Sequence, residues 1–180
     1  MRGLNKKVSG LVLLLAAAAI LVLMQQNGVL LGTPAVATGN VVVQDGKIPA
    51  QAAAGVPLTT TVSKVIDGDT LVTAGGEHVR LIGINSREKG EECYTEAGEK
   101  LAALVLGRNV RLEFGAELRD RYGRLLAHIY GDSNRFINME MVRSGFAYAY
   151  PYKPNTEFAQ EFAGAEREAE NSHKGCLWQN

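Results

Sequence analysis

The order of strand-like and helix-like segments constrains the fold of this chain most. Five short segments rich in β-branched and apolar residues predict strands, at residues 59–66, 71–73, 78–84, 109–114 and 124–130. A helix is predicted over residues 95–106, between the third and fourth strands, with Thr95 as its cap and Gly107 as its stop. Five short strands with a helix after the third are typical of an OB-type barrel.

Two further helices are predicted after the fifth strand. A short one runs from Asn138 to Arg143, and a last one begins at Asn155 or Thr156 and continues to about Ser172. The expected fold class is therefore α+β: a five-stranded OB-fold β-barrel with about three α-helices, preceded by an N-terminal hydrophobic signal or anchor segment.

The first residues have a composition of their own. Three basic residues, Arg2, Lys6 and Lys7, precede a stretch without any charge from Val8 to Gln44, in which residues 11–24 are all apolar. A helix of 14 residues is roughly 21 Å long, shorter than the ~30 Å hydrocarbon core of a membrane. A positive start before a short apolar run is typical of a secretory signal. An uncleaved anchor, lengthened by residues 29–31, is the alternative.

We therefore expect residues 1–37 to be a signal peptide or membrane anchor, 38–58 a linker rich in Ala, Gly, Val and Pro, and 59–180 the folded domain. The expected location is secreted or extracytoplasmic, with any membrane contact made through the N-terminal segment. The two cysteines, Cys93 and Cys176, are expected to form one disulfide in an exported protein, and two unpaired thiols are the alternative.

The charge of the chain excludes binding to nucleic acid through bulk electrostatics. The chain has 19 basic and 19 acidic residues. Cleavage after Ala37 would leave 16 basic against 19 acidic residues, a net charge of −3. Binding to a polyanion would need a local basic cluster. The candidates are Arg119, Arg121, Arg124, Arg135, Arg143 and Lys153.

Three separate segments carry side chains suited to cleavage of a phosphodiester. They are Val-Ile-Asp-Gly-Asp-Thr at 65–70, Arg-Leu-Ile-Gly-Ile-Asn-Ser-Arg-Glu at 80–88 and Asp-Arg-Tyr-Gly-Arg at 120–124. Together they offer oxygen ligands for a hard metal ion, a carboxylate that could act as a base, and arginines for a phosphate. Each segment alone is weak evidence, because Asp-Gly-Asp, for example, also suits a plain hairpin turn.

In this order and spacing, the three segments resemble the staphylococcal nuclease family. The resemblance extends from about Thr60 to Trp178 and includes Tyr-Pro-Tyr-Lys-Pro-Asn at 150–155 and Lys-Gly-Cys-Leu-Trp at 174–178. It implies a calcium-dependent phosphodiesterase, secreted or anchored, that acts on DNA and/or RNA. We expect the protein to act as a monomer.

The resemblance also implies a role for individual residues. One Ca²⁺ ion would be held by Asp69, Asn85 and Ser86, and Asp67 would hold a metal-bound water. Arg80 and Arg124 would clamp the phosphate, since a guanidinium pairs with two phosphate oxygens at once.

The attacking water would be activated by Glu88, with Glu91 or Glu92 as alternatives if the register of this charged run differs. The nucleotide would be contacted by Arg121, Tyr122, Tyr150 and Tyr152. For the last two, a tyrosine-rich loop that packs on the last helix is the alternative.

Two positions depart from the family pattern. The family usually has an aspartate where this chain has Asn85, and a proline where it has Arg87. Asn85 offers a carbonyl oxygen without charge, so calcium affinity is expected to fall. Arg80 and Asn85 also lie five residues apart, so both can face one site only if the strand bulges or ends between them, for which Gly83 is the natural place.

Two functions other than cleavage remain open. One is a binding module that holds nucleic acid without cutting it, and the other is an extracytoplasmic barrel that binds a protein or an envelope polymer. Asp69, Arg80, Glu88 and Arg124 together favour catalysis, because a binder needs no positioned base. His78, His128 and His173 have neither metal-ligand spacing nor a nucleophile–base pattern.

Overall fold

The protein is described by a computed structural model, which covers residues 58–179. This part of the chain contains seven strands: β1 (Leu58–Val65), β2 (Thr70–Thr73), β3 (His78–Leu81), β4 (Ile84–Asn85), β5 (Asn109–Arg119), β6 (Leu125–Tyr130) and β7 (Tyr148–Ala149). Five of them form a closed barrel in the order β1-β2-β3-β6-β5, and β1 pairs with β5 to close it. Strands β3 and β6 run parallel, while the other barrel neighbours are antiparallel.

Three α-helices accompany the strands in the described residues: α1 (Tyr94–Val105), α2 (Ile137–Arg143) and α3 (Ala159–Asn171). Helix α1 lies in sequence between the short β4 and β5, and α2 and α3 follow the barrel. Strands β4 and β7 pair outside the barrel as a small antiparallel sheet. The predicted α+β barrel with three helices is confirmed.

The core fills the barrel and the faces of the helices packed on it. Apolar side chains from alternating strand positions point inward, as expected for strands with one face buried. Helix α1 buries Leu101 and Val105, and α3 buries Phe162 and Ala165. The strands contribute Leu58, Val62, Leu71, Val79, Leu81, Val110, Leu112, Leu125, Ala127 and Ile129.

An aromatic cluster next to this core encloses a histidine. His128 on β6 makes edge contacts with the rings of Phe136 and Phe158, at centroid distances of 5.6 and 4.9 Å. Burial lowers the pKa of His128, against a smaller upward effect from the charge of Glu157. The enclosed imidazole is therefore harder to protonate than a free one.

Asn138 connects helix α2 to the barrel from a fully buried position. Its side-chain oxygen accepts a hydrogen bond from the N–H of Ile129 at 2.9 Å, and its amide donates to the carbonyl of Ile82 at 2.9 Å. A buried amide with both ends satisfied holds neighbouring segments in a fixed arrangement. The chain that leaves β3 is fixed here, immediately before Gly83.

Two predicted strand ends are wrong. The third strand ends at Leu81 and not at Ile84, because Gly83 has a positive φ of 79° and turns the chain out of the barrel. The fourth strand continues past Phe114 to Arg119, where it again pairs with β6 opposite Leu125.

Two predicted helix starts are also wrong. Helix α1 begins at Tyr94 directly after Cys93, so Thr95 lies inside its first turn and is not the cap. Helix α3 begins at Ala159. The side chain of Asn155, which we expected at the start of this helix, instead accepts a hydrogen bond from the N–H of Glu117.

The predicted signal or anchor over 1–37 and nearly all of the predicted linker lie outside the described residues. Leu58, expected to be the last linker residue, is already the first residue of β1 and is buried. Within residues 58–179, no helix is long and apolar enough to cross a membrane.

Candidate functional site

Arg80 is the centre of the site. Its side chain is only 13% exposed, and its Nε lies 3.1 Å from a carboxylate oxygen of Asp69. Nη1 donates to the carbonyls of Leu81 and Ile84 at 2.7 and 2.8 Å, and Nη2 donates to the side-chain oxygen of Asn85 at 2.8 Å. These contacts fix the guanidinium in one orientation and leave one Nη2 hydrogen unassigned, since the group has five.

The charges around Arg80 act on one another. Burial lowers the pKa of Arg80, the charge of Asp69 raises it, and the charge of Arg124 lowers it, with smaller upward effects from Asp67 and Glu88. The guanidinium stays cationic under these opposing influences. Arg80 thus pairs with Asp69 of the first segment and lines the same cleft as Arg124 of the third.

Gly83 is the reason that Arg80 and Asn85 meet. The turn at Ile82 and Gly83 separates β3 from β4, so the alternation of one continuous strand no longer applies. Beyond the turn, Asn85 pairs with Tyr148 of β7, and the N–H of Tyr150 donates to the carbonyl of Gly83 at 2.8 Å. The predicted break in the strand at Gly83 is confirmed.

Asp69 is almost completely enclosed by hydrogen-bond donors. One carboxylate oxygen accepts from the hydroxyl of Thr70 at 3.0 Å and faces Arg80. The other accepts from the N–H and the hydroxyl of Ser86 at 2.7 and 3.2 Å. A carboxylate has about four acceptor positions, and all four are occupied here.

The neighbouring Asp67 is close to Asp69 and shares its turn. Its carboxylate accepts the N–H of Asp69 at 3.0 Å. Burial raises the pKa of Asp67, the negative charge of Asp69 raises it further, and the hydrogen bond from the backbone partly opposes both effects.

The predicted metal ligands come together, but they form a sparse site. Asp69, Asn85 and Ser86 supply oxygen atoms, as calcium prefers, and Asp69 is the only carboxylate among them. Within the described residues, no group of three His, Cys, Asp or Glu side chains is arranged to hold a metal ion. The donor atoms are oxygens, which suit a hard cation in kind. Those of Asp69 and Asn85 already accept hydrogen bonds from Thr70, Ser86 and Arg80.

Arg124 is oriented by Asp120, four residues earlier in the chain. One oxygen of Asp120 accepts from Arg124 Nε at 2.7 Å, and the other accepts from the N–H groups of Tyr122 and Arg124 at 2.9 and 3.0 Å. Burial tends to raise the pKa of Asp120, but these hydrogen bonds outweigh it, so the pKa lies below its usual range. Asp120 is therefore an anionic support for Arg124.

A second ion pair holds the loop that carries Arg124. Both terminal nitrogens of Arg119 contact the carboxylate of Glu77, at 3.0 and 3.1 Å, and Nη1 also donates to the carbonyl of Gly123 at 2.7 Å. Neither Asp120 nor Glu77 is a predicted site residue. The spacing of Asp120 and Arg124 within one motif was a signal for the first, while no sequence signal links Glu77 to Arg119.

A cleft of about 500 Å³ adjoins Arg80 and Arg124, and Asp69, Asn85, Ser86 and Glu88 are not among its lining residues. Its walls include six of the predicted site residues: Arg80, Arg121, Tyr122, Arg124, Tyr150 and Tyr152. Aromatic rings form its rim, with Tyr122 68%, Tyr150 51% and Tyr152 66% exposed. The rings of Tyr150 and Tyr152 are parallel within 6° at 6.5 Å. Such exposure disfavours the alternative of a loop packed on the last helix.

Arg121, which also lines the cleft, contacts Tyr122 directly. Its Nη2 donates to the phenol oxygen at 2.6 Å, and its guanidinium lies 4.7 Å from the ring centre. The guanidinium of Arg124 lies 5.5 Å from the same ring. Tyr122 is thus in contact with two cations at the mouth of the cleft.

Glu88 is exposed on the segment between β4 and α1. Its negative charge makes the smallest of the upward contributions to the pKa of Arg80. Glu91, the alternative base, has its carboxylate engaged by the N–H of Glu88 at 2.9 Å and lies 4.0 Å from Arg87. Glu91 is therefore engaged within its own segment, and the choice of Glu88 as base over Glu91 and Glu92 stays a prediction.

Cys93 and Cys176 are joined by a disulfide, with their Cα atoms 5.3 Å apart. Cys93 follows Glu88 by five residues and precedes the first residue of α1, and Cys176 lies in the segment after α3. The bond therefore connects the segment of Glu88 to the C-terminal part of the domain.

These features define a class of protein: an OB-type barrel with a carboxylate–arginine pair, a second oriented arginine and an exposed tyrosine rim around one cleft. The family model described as "Staphylococcal nuclease homologue" matches residues 78–180. The chain belongs to the staphylococcal nuclease homologue family. This confirms the resemblance drawn from the sequence and the enzyme class, a nuclease hydrolase.

Several curated relatives are similar over two thirds of the chain. The SPbeta prophage-derived endonuclease YokF of Bacillus subtilis is 36% identical over 129 residues, which cover 66% of this chain and 43% of YokF. Endonuclease YncB of the same organism is 34% identical, covering 67% of this chain and 62% of YncB. The thermonuclease of Staphylococcus hyicus is 30% identical, covering 68% of this chain and 76% of the thermonuclease.

Proposed function

We propose that this protein is an exported, calcium-dependent nuclease that hydrolyses phosphodiester bonds of DNA and/or RNA. One observation carries the proposal: Arg80 and Arg124, which lie far apart in sequence, line one cleft with an aromatic rim, and Arg80 is paired with Asp69. Family membership supports the same activity.

The two arginines are suited to different parts of phosphate binding. Arg124 has a 30% exposed side chain, and Asp120 holds its Nε so that the terminal nitrogens are available to a substrate. Arg80 is more buried and has a single uncommitted Nη2 hydrogen. We infer that Arg124 grips the phosphate, while Arg80 supplies a fixed positive charge and one hydrogen bond as negative charge develops in the transition state.

Glu88 is the proposed general base. It is exposed to solvent, so a water molecule has access to its carboxylate, and its segment follows directly after Asn85 and Ser86. A carboxylate in this position can take the proton of the attacking water.

Asp69, Asn85 and Ser86 are the proposed ligands of one calcium ion. When bound, the ion adds positive charge at the phosphate oxygens and lowers the pKa of a bound water. Since Asn85 is neutral, Asp69 is the only charged ligand, and the proposal includes weak binding of calcium.

The tyrosine rim suits the bases of a single strand. Stacking on an aromatic face is possible for every base, so it gives binding without sequence preference. Tyr150 and Tyr152 are parallel and exposed, and Tyr122 lies across the mouth of the cleft beside Arg121. The proposed substrate is therefore unpaired or locally opened nucleic acid, bound by a monomer.

Export rests on the sequence. A positively charged start followed by a short apolar run supports a signal or anchor over residues 1–37. The disulfide supports the same location, because such bonds persist in oxidising surroundings.

A second candidate function is binding without cleavage. The observation that favours it is the filled hydrogen-bonding shell of Asp69 together with the neutral Asn85. If calcium cannot displace the hydroxyl donors, the cleft still binds phosphate and bases but has no metal ion for catalysis.

Cleavage of denatured DNA and RNA by the purified full chain tests these functions. We expect cutting with calcium, none with chelator, and a loss of about 100-fold or more in Arg124→Ala, as for removal of one transition-state donor. Arg167→Ala is the matched control, an exposed arginine that does not line the cleft, and should keep full activity. Binding without cutting would support the second function, and neither binding nor cutting would direct attention to protein or envelope ligands.

A further inference from the structure

The segment that carries Glu88 has no regular secondary structure of its own. Residues 86–93 connect the end of β4 to the start of α1, and Glu88 lies among exposed residues. A general base must stay within hydrogen-bonding reach of the water that it activates. Some other part of the protein must therefore hold this segment in place.

Arg87, the residue before Glu88, makes two contacts that can do so. Its guanidinium carbon lies 5.2 Å from the centre of the Tyr148 ring, a cation–π geometry. Its Nη1 lies 4.0 Å from an oxygen of Glu91. The side chain is 43% exposed and links an aromatic ring to a carboxylate.

The carboxylate of Glu91 contacts both Arg87 and the backbone of Glu88. The oxygen of Glu91 that faces Arg87 also accepts the N–H of Glu88 at 2.9 Å. The N–H of Glu91 in turn donates to the carbonyl of Glu88 at 3.0 Å. Glu91 therefore engages both hydrogen-bonding groups of the Glu88 backbone, and Arg87 contacts the carboxylate that accepts the Glu88 N–H.

Tyr148, the other contact of Arg87, is itself fixed. It belongs to β7, where it pairs with Asn85 of β4, and its ring meets Trp178 edge-on at 5.6 Å. The disulfide from Cys93 to Cys176 binds the other end of the segment to the same C-terminal part. Tyr148, on which the Arg87 guanidinium packs, is thus held by its strand pairing with Asn85 and by its ring contact with Trp178.

We propose that Arg87 is a positioning residue, which holds Glu88 in place for catalysis through its contacts with Tyr148 and Glu91. The inference rests on the proposed nuclease function and adds a residue to it. Arginine suits the task because its planar guanidinium stacks on a ring and still donates hydrogen bonds from its edge.

Cleavage kinetics of the full chain with saturating calcium test the proposal. Arg87→Ala should lower kcat about 10- to 100-fold, within what a misplacement of about 1 Å can cost, and leave KM within about twofold. Arg87→Lys should recover part of the loss, since it keeps the charge but not the plane.

Arg111→Ala is the matched control. Like Arg87, Arg111 lies over a tyrosine, 4.3 Å from the ring centre of Tyr130, and pairs with a nearby glutamate. That glutamate is Glu113, two residues later in the chain. It is not among the residues that line the cleft. It should keep the kcat of the unmodified protein.

The double variant separates positioning from other roles. If Arg87 acts through Glu88, then Arg87→Ala should have little further effect when Glu88→Gln is already present. Three outcomes would each overturn the proposal. They are losses that multiply in the double variant, a higher KM at unchanged kcat in Arg87→Ala, and no change at all in Arg87→Ala. A higher KM alone would mean that Arg87 contacts the substrate itself.

Amide hydrogen exchange keeps this proposal distinct from the nuclease function. Arg87→Ala should speed exchange at the Glu88 amide severalfold, because that amide depends on Glu91 for its hydrogen bond, while Arg111→Ala should not. Faster exchange in a protein that does not cut would support the positioning contact and overturn the nuclease function. Unchanged exchange in an active nuclease would overturn the positioning contact alone.

Discussion

Replacing Gly83 by alanine should destabilise the domain strongly, because two separate costs meet at this residue. The backbone has φ of 79°, which costs a residue with a Cβ roughly 1–2 kcal/mol. The new Cβ would also press against the ring of Phe162, whose Cδ2 would lie 2.8 Å away and whose Cε2 would be closer still.

Phe162 cannot move aside easily, since it is 1% exposed and packs within the core. Overpacking of this kind typically costs about 1–3 kcal/mol. The two costs together give about 2–5 kcal/mol, a large part of the roughly 5–15 kcal/mol that stabilises a typical domain.

Gly76→Ala is the matched control for the backbone cost alone. Gly76 has nearly the same φ, 81°, and an added Cβ there would have no atom within 4 Å. It should therefore lose only the roughly 1–2 kcal/mol of the left-handed conformation. Urea unfolding of both variants measures the difference, which isolates the contact with Phe162. Equal losses in the two variants, or a loss below about 1 kcal/mol at Gly83, would refute the reasoning.

Four further predictions concern the site and its surroundings. Glu88→Gln should lower kcat by about 100-fold or more while substrate binding changes little, and equal losses of both would remove Glu88 from catalysis. Asn85→Asp should tighten calcium binding measured by titration, since it adds a charged ligand, and unchanged affinity would show that residue 85 is not a ligand. Reducing the disulfide should lower the melting temperature, because a bond that closes a loop of 83 residues is worth up to about 4–5 kcal/mol in the chain-entropy treatment. No shift on reduction would contradict this estimate. Burial lowers the pKa of His128 in the folded state below its unfolded value. The domain therefore keeps its full stability above about pH 6.5 and becomes less stable as the pH falls below that value, because the unfolded chain binds the proton more readily. Unfolding of His128→Phe should show a weaker dependence on pH in this range, and an identical pH profile would contradict the assignment.

The barrel could be predicted from the sequence because its signals are local. Alternating β-branched residues, turn residues and one helical stripe fixed the element order, and the order alone is typical of an OB-type barrel. The ends of elements were harder, since they depend on contacts with distant parts of the chain. Asn155 is an example: it was expected to start a helix, but it bonds to Glu117 from β5 instead.

The site was predictable to the extent that motifs name its residues. The meeting of Arg80 and Asn85 could be foreseen because Gly83 allows the strand to end. The enclosure of Asp69 could not, since its donors include Ser86, 17 positions later in the chain. The support of the Arg124 loop by Glu77 likewise depends on a pairing across 42 positions, which no local pattern shows.

The parallel pairing of β3 with β6 determines when the two halves of the site come together. Asp69, Arg80 and Glu88 come from the chain before helix α1, while Arg124 and the tyrosines come from the chain after it, and the two groups adjoin where Arg80 pairs with Leu126. An incompletely folded chain therefore has no cleft and no assembled catalytic group. For a nuclease, this means that the chain can act on nucleic acid only once the two groups have come together.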